Sequence, residues 1–153
     1  MFFLVGAVTL SLFLSVPAAA DFGDCSFSGA VAAQSTPGVL VASGLRYGLL
    51  DLFSLELEAG LGVAEVGELE LLGQGRLGVV TALDIFEWVP ELIFGVGAQW
   101  TAADIAPFAW VEARLRWVLD FNWSVFVGGG ADYFIEKSRL NGIAHLGVSY
   151  LLD

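Results

Sequence analysis

Long stretches of this chain alternate apolar and polar side chains one by one, the period of a β-strand with one greasy and one wet face. In Phe53-Ser54-Leu55-Glu56-Leu57-Glu58-Ala59-Gly60-Leu61-Gly62-Val63 every apolar side chain falls on one phase and every polar residue or glycine on the other. Between Pro107 and Phe121, Ala109, Val111, Ala113, Leu115, Trp117 and Leu119 share a phase, while Glu112, Arg114, Arg116 and Asp120 share its opposite. From Trp123 to Ile135 the apolar phase is Trp123, Val125, Val127, Gly129, Ala131 and Tyr133, against Ser124, Gly128, Gly130 and Asp132. The same alternation puts Arg46, Gln74, Arg76, Glu91, Gln99, Asn141, His145 and Ser149 on the wet phase of their segments.

A repeat organises these segments. Leu-Asp recurs at Leu50-Asp51, Leu83-Asp84, Leu119-Asp120 and Leu152-Asp153, at separations of 33, 36 and 33 residues. Each pair closes an apolar run, and after the first three another run begins at Phe53, Val89 and Trp123, so Asp51, Asp84 and Asp120 mark tight turns between antiparallel strands. About 34 residues holds two membrane-length strands, a turn and a loop. Strands are predicted at 39–50, 53–64, 70–83, 89–101, 107–119, 123–135 and 140–152.

Which face meets which solvent is decided by the arginines. Turned toward lipid, Arg46, Arg76, Arg114 and Arg116 would cost about 2–4 kcal/mol each near the bilayer midplane, roughly 8–16 together. The wet phase therefore faces inward and the apolar phase outward. Seven strands leave an open edge that hydrocarbon cannot satisfy, so an eighth is required, and 26–34 supplies it, with Phe27, Val31 and Ala33 opposite Ser26, Ser28 and Gln34. The expected fold is an all-β, eight-stranded antiparallel up-and-down transmembrane β-barrel with both termini on the side of the tight turns, the periplasm.

Composition agrees. The chain is 57% hydrophobic with mean hydropathy +0.77, more apolar than an ordinary soluble domain. Beyond residue 20, the best candidate for a helical span, Leu92 to Val111, is interrupted by Gln99, Asp104 and Pro107. Residues 1–20 are an uncharged apolar run ending in Pro17-Ala18-Ala19-Ala20, which reads as a signal peptide cleaved before Asp21, with 21–153 as the barrel domain. A retained anchor is the alternative for a run of that length. A net charge of −11 argues against nucleic acid as a partner. One cysteine, Cys25, and one histidine provide neither a disulfide nor a metal constellation, and no cofactor is expected.

Several smaller patterns have a chemical and a structural reading. Gly73-Gln74-Gly75-Arg76-Leu77-Gly78 spells a dinucleotide fingerprint but is followed by a strand, Val79-Val80-Thr81, instead of a helix; glycine in a narrow barrel leaves room for long inward side chains. His145 and Ser149 share the inner face, but four residues along a strand is about 13 Å, too far for a nucleophile and its base. Arg46, Glu56, Glu58, Arg76, Glu112, Arg114, Arg116, Asp132 and His145 are the expected interior polar network, pairing to fill a lumen only just wide enough for side chains. Trp88, Trp117 and Trp123 near the turns, and Trp100 and Trp110 near the loops, are the expected aromatic girdles, although the phase of Trp110 points inward. The far loops, around 35–37, 65–68, 102–106 and 136–138, are short, leaving little material for a receptor or enzyme site.

From about Ser26 to Asp153 the chain resembles the small eight-stranded outer-membrane barrels that include OmpA-type and OmpX-type proteins. The likeness is carried by Arg46-Tyr47-Gly48-Leu49-Leu50-Asp51, Ala82-Leu83-Asp84 with Trp88-Val89-Pro90, Asn122-Trp123-Ser124 and Leu146-Gly147-Val148-Ser149-Tyr150. The resemblance implies export to the outer membrane, outer-membrane lipid as surroundings and insertion by the barrel-assembly machinery, and a monomer is expected. Three functions are open: a structural barrel with a closed polar interior, which is not an enzyme; a narrow porin-like channel or carrier for small or apolar solutes; and, ranked below these, a lipid-modifying enzyme. A soluble lipocalin-type barrel would need the opposite placement of charge.

Overall fold

The computed structural model describes residues 23–36, 38–50, 52–66, 68–83 and 88–152. Residues 1–20, read above as a signal peptide, and the turn aspartates Asp51 and Asp84 lie outside the described residues. The described chain is eight strands: β1 (Cys25–Gln34), β2 (Gly38–Leu50), β3 (Phe53–Val66), β4 (Glu68–Ala82), β5 (Trp88–Trp100), β6 (Ile105–Val118), β7 (Trp123–Phe134) and β8 (Arg139–Leu152). Among the described residues no helix is long and apolar enough to cross a membrane.

The strands follow one another round a single antiparallel sheet in the order β1-β8-β7-β6-β5-β4-β3-β2. The predicted eighth strand is β1, paired with β8 from Cys25↔Leu152 to Gln34↔Ile143. Where β1 meets β2, the Gly23 N–H donates to the Gly48 carbonyl at 3.0 Å and the Gly48 N–H to the Asp24 carbonyl at 2.8 Å. The sheet thus closes into a barrel, which removes the edges along the body of the sheet.

Local chemistry sets the strand ends. At the β6–β7 turn, Asp120 Oδ1 accepts the backbone N–H of Asn122 at 2.9 Å and of Trp123 at 2.8 Å, an Asx turn that aims the chain back into β7. At the opposite end the Thr101 N–H donates to the Asp104 carbonyl at 2.9 Å and closes the β5–β6 loop. The β3–β4 connection departs from expectation: an acidic loop is predicted at 65–68, yet β3 runs to Val66 and β4 starts at Glu68.

Alternation holds on every strand. Outward positions are apolar or small, and Glu65, at the loop end of β3, is the one charged residue on the outward phase of the eight strands. The interior is mixed. Leu40, Leu72 and Ile143 with Ala32 and Ala64 form one buried apolar cluster toward the loops, and Phe108, Phe134 and Trp110 with Val80, Ile93 and Ala106 form another. Inward glycines make room for these rings: a Cβ on Gly78 would stand 2.6 Å from Trp110 Cζ2. Trp110 is therefore not a girdle residue. It is buried inside the barrel, because an even position on β6 points inward and Gly78 leaves it space.

Candidate functional site

The charged interior is the part of the molecule with chemistry to offer. Its longest links join strands that do not neighbour one another. Arg46 on β2 reaches across to Glu91 on β5, with Nη1 donating to Oε1 at 2.6 Å and Nη2 to Oε2 at 3.0 Å. Arg114 on β6 reaches to Glu56 on β3, donating from Nη1 and Nη2 at 3.1 Å each. Arg76 on β4 reaches to Asp132 on β7, with Nη2 at 2.7 and 2.9 Å from the two carboxylate oxygens. These three pairs are chords across the lumen.

Shorter links join the chords. Arg46 Nη2 also donates to Glu56 Oε2 at 2.7 Å, a pair directly opposed on β2 and β3. Arg116 Nε lies 2.9 Å from Glu91 Oε1, and Arg114 Nε donates to Glu112 Oε1 at 3.0 Å. His145 Nδ1 stands 2.8 Å from Glu112 Oε2, Gln74 Nε2 donates to Asp132 Oδ2 at 3.3 Å, and Glu58 lies 3.9 Å from Arg76 Nε. Two guanidinium groups of the network also stack on inward rings, Arg76 at 4.8 Å from the Trp110 centroid and Arg114 at 4.5 Å from Phe126. All of these charged side chains are buried.

The nine residues expected to form the interior network come together here. Glu91, read only as an inward residue without partners, is a hub that faces Arg46, Arg116 and, at 4.0 Å, Arg114. Its signal was present in its phase, but its partners lie on strands fixed by the register round the barrel. The network holds five carboxylates, Glu56, Glu58, Glu91, Glu112 and Asp132, against four arginines, with His145 beside Glu112. Mutual pairing makes the burial of so many charges tolerable.

For hydrolytic chemistry the arrangement offers little. The Ser149 hydroxyl is hydrogen-bonded to that of Ser124 at 2.8 Å, both side chains are fully buried, and His145 turns to Glu112. Among the described residues no group of His, Cys, Asp and Glu could hold a metal ion. At the turn-side mouth a cavity of about 30 Å³ is lined by Asp24, Ser26, Arg46, Glu91 and Arg116, room for a water or two. At the loop side, Ser35 Oγ and Thr36 N–H donate to Asn141 Oδ1 at 2.8 and 3.0 Å, and Lys137 donates to Asp104, tying the β7–β8 loop to the β5–β6 loop.

The remaining tryptophans sit on the outside. Trp88 stacks on Trp117 with centroids 5.2 Å apart, and Trp123 meets Tyr150 edge-on at 5.0 Å, all at the turn end. Trp100 lies at the loop end, its indole over Gly73, where a Cβ would overlap the ring.

No protein-family model matches the chain, and no curated sequence matches it significantly. Solved structures do. The N-terminal β-barrel domain of Pseudomonas aeruginosa OprF is similar with a TM-score of 0.74 at 16% identity, over 86% of this chain and 98% of that one. A de novo designed transmembrane β-barrel gives 0.66 at 15% identity, over 88% and 99%. The outer membrane enzyme PagL gives 0.52 at 17% identity, over 83% and 98%. At such identities the likeness is one of architecture, and it is consistent across the three: the chain has the fold of the small eight-stranded transmembrane β-barrels.

Proposed function

We propose that this chain is an integral outer-membrane barrel with a sealed lumen, serving membrane structure and integrity and neither passing solutes nor catalysing a reaction. The observation that carries the reading is the set of three chords, β2 to β5, β3 to β6 and β4 to β7, which fill the cross-section with paired charge. A solute would have to break two-point ion pairs in a buried setting to pass them. The apolar clusters around Leu40, Leu72, Phe108 and Phe134 add a second obstruction. Membrane residence is supported by the outward phase, where a belt of Leu, Val, Phe and Trp free of charge apart from Glu65 suits lipid and would aggregate in water. In this reading Trp88, Trp117 and Trp123 form the girdle on the turn side, taken as periplasmic, and Trp100 marks the other interface.

The alternative, a narrow channel, is favoured by the water-sized cavity beside Arg116, which would be the vestibule of a path that opens when Glu91 exchanges partners. Planar-bilayer conductance of the refolded chain, with heat-dependent gel mobility recorded on the same preparation, separates the two. A mobility shift without conductance is the expected result; steady unitary conductance would replace the sealed barrel with the channel.

A further inference from the structure

The β3–β4 hairpin outruns its neighbours. The β4–β5 ladder stops at Gly73↔Trp100 and the β2–β3 ladder at Gly38↔Ala64, while β3 and β4 stay paired through Glu65↔Leu69 to Val66↔Glu68. Residues 68–72 of β4 thus have β3 on one side and, among the described residues, no strand on the other. Five strand residues extend about 17 Å past the Trp100 level. Alternate residues of this segment turn their N–H and C=O toward the open side, a template for another strand. The side chains are open too: Leu69 and Leu71 are each 72% exposed, and Glu68 and Glu70 are exposed on the opposite face.

We propose that this edge is a docking surface for an extended polypeptide segment with basic residues at alternate positions and apolar residues between them, which adds to β4 as a further antiparallel strand. Lipid is a poor occupant, because unpaired backbone groups are not tolerated in hydrocarbon; this step rests on the membrane reading above. A second copy of the chain set with the same face alongside is disfavoured by charge. Residues opposed in a ladder share a face, so pairing two copies antiparallel opposes Glu70 to Glu70, Glu68 to Glu70 or Glu68 to Glu68, and parallel in-register pairing sets each glutamate beside its twin. A basic alternating strand reverses that repulsion, while its apolar residues cover Leu69 and Leu71 on the other face.

The test uses the full chain in zwitterionic nanodiscs and a fluorescent ten-residue peptide alternating lysine and valine, followed by anisotropy. Binding is expected to weaken about tenfold when alternate peptide nitrogens are methylated, since the ladder bonds go, and about tenfold for Glu68→Lys with Glu70→Lys on the protein. Equal binding of the methylated peptide would mean attraction by charge alone and overturns the proposal. So does an absence of binding, which would leave the glutamates as guards against edge pairing, and so does a disulfide-linked dimer of Leu71→Cys in place of peptide capture. Heat-dependent mobility of the same samples keeps the two readings apart: a peptide that fails to bind a heat-modifiable barrel sinks only the docking edge, whereas loss of that mobility in the unaltered chain sinks the membrane barrel itself.

Discussion

Replacing Arg114 by alanine is the sharpest perturbation of the lumen that we propose to be sealed. Its guanidinium donates to Glu56 at 3.1 Å and to Glu112 at 3.0 Å, and it lies 4.5 Å from the Phe126 ring. At an effective dielectric of about 20, one unit pair at that separation attracts by about 5 kcal/mol, and two such contacts face the cost of desolvating three charges. The net worth of the intact cluster is therefore small. Its disruption is not, because alanine leaves five carboxylates facing three arginines, and removal of one partner from a buried pair costs about 3–5 kcal/mol. Urea unfolding of the barrel in lipid vesicles should show a stability loss of that size for Arg114→Ala. Adding Glu56→Gln should recover about half of it, since it restores the original excess of one carboxylate over the arginines, while Arg46 keeps Glu91 and Glu112 keeps His145 with Arg76 at 3.7 Å. An Arg114→Ala barrel that unfolds within about 0.5 kcal/mol of the unaltered one would refute the argument, because it would mean that water already screens the interior and the lumen is open.

Gly78→Ala should destabilise by about 1–3 kcal/mol, because its Cβ would sit 2.6 Å from Trp110 Cζ2, and Trp110→Phe should relieve much of that; urea titration of the two single variants and the double variant reads both. Asp120→Ala removes an acceptor used by two backbone N–H groups and should cost about 1 kcal/mol, with faster amide exchange at Asn122 and Trp123 as the local readout. Leu77→Arg, half-exposed on the outward phase of β4, should cost about 2–4 kcal/mol in lipid; an unchanged stability would place that face in water. The Asp104 carboxyl is held below its ordinary value by the hydrogen bond from Lys137 and by its charge. The loop contact should therefore be fully present above that ordinary value of 3.8 and fade as pH falls through the lowered one, which carboxyl carbon shifts would follow. High salt should weaken it at neutral pH, because the pair is exposed.

Strand placement was legible because alternation and the Leu-Asp spacing are local signals, and lipid makes each phase expensive to reverse. Even β1, which bears no charge, could be placed, as closure demands an eighth strand and 26–34 alone was unassigned. The pairing inside was not legible. Which arginine meets which carboxylate depends on stagger round the barrel, so Arg76 and Asp132, 56 residues apart, meet for reasons that no spacing reveals. The apolar part of the lumen was missed for a different reason: Leu40, Leu72, Ile143, Phe108 and Phe134 sit on the wet phase, where a rule that sorts residues by polarity has nothing to say about them. Trp110 was drawn toward the girdle by its height along β6, although its phase gave the right answer. The hairpin ends were hidden by charge. Glu65 and Glu68 look like a loop, yet beyond the bilayer a ribbon held by its own ladder needs no buried face.

A core of charges is costly beside a core of leucine, and the barrel carries one for a reason that lies in its other face. A soluble sheet marks its inner side by making it apolar; here the outer side is already apolar, and an apolar lumen would make the two faces equivalent. A strand could then slip by one residue and turn every side chain over without penalty. Arg46, Arg76, Arg114 and Arg116 break that symmetry on β2, β4 and β6 at about 2–4 kcal/mol for each arginine turned to lipid. Glu56, Glu91, Asp132 and His145 extend the marking to β3, β5, β7 and β8. That leaves β1, whose phase comes from ladder pairing with β8. The loop-side half of the lumen is largely apolar and can be so, because the phase of each strand has been set by charges farther along it. On this argument the network exists first to give the barrel one way to close, and the proposed sealing of the lumen follows from it: charges that must be buried in a space this narrow have nowhere to go except to one another.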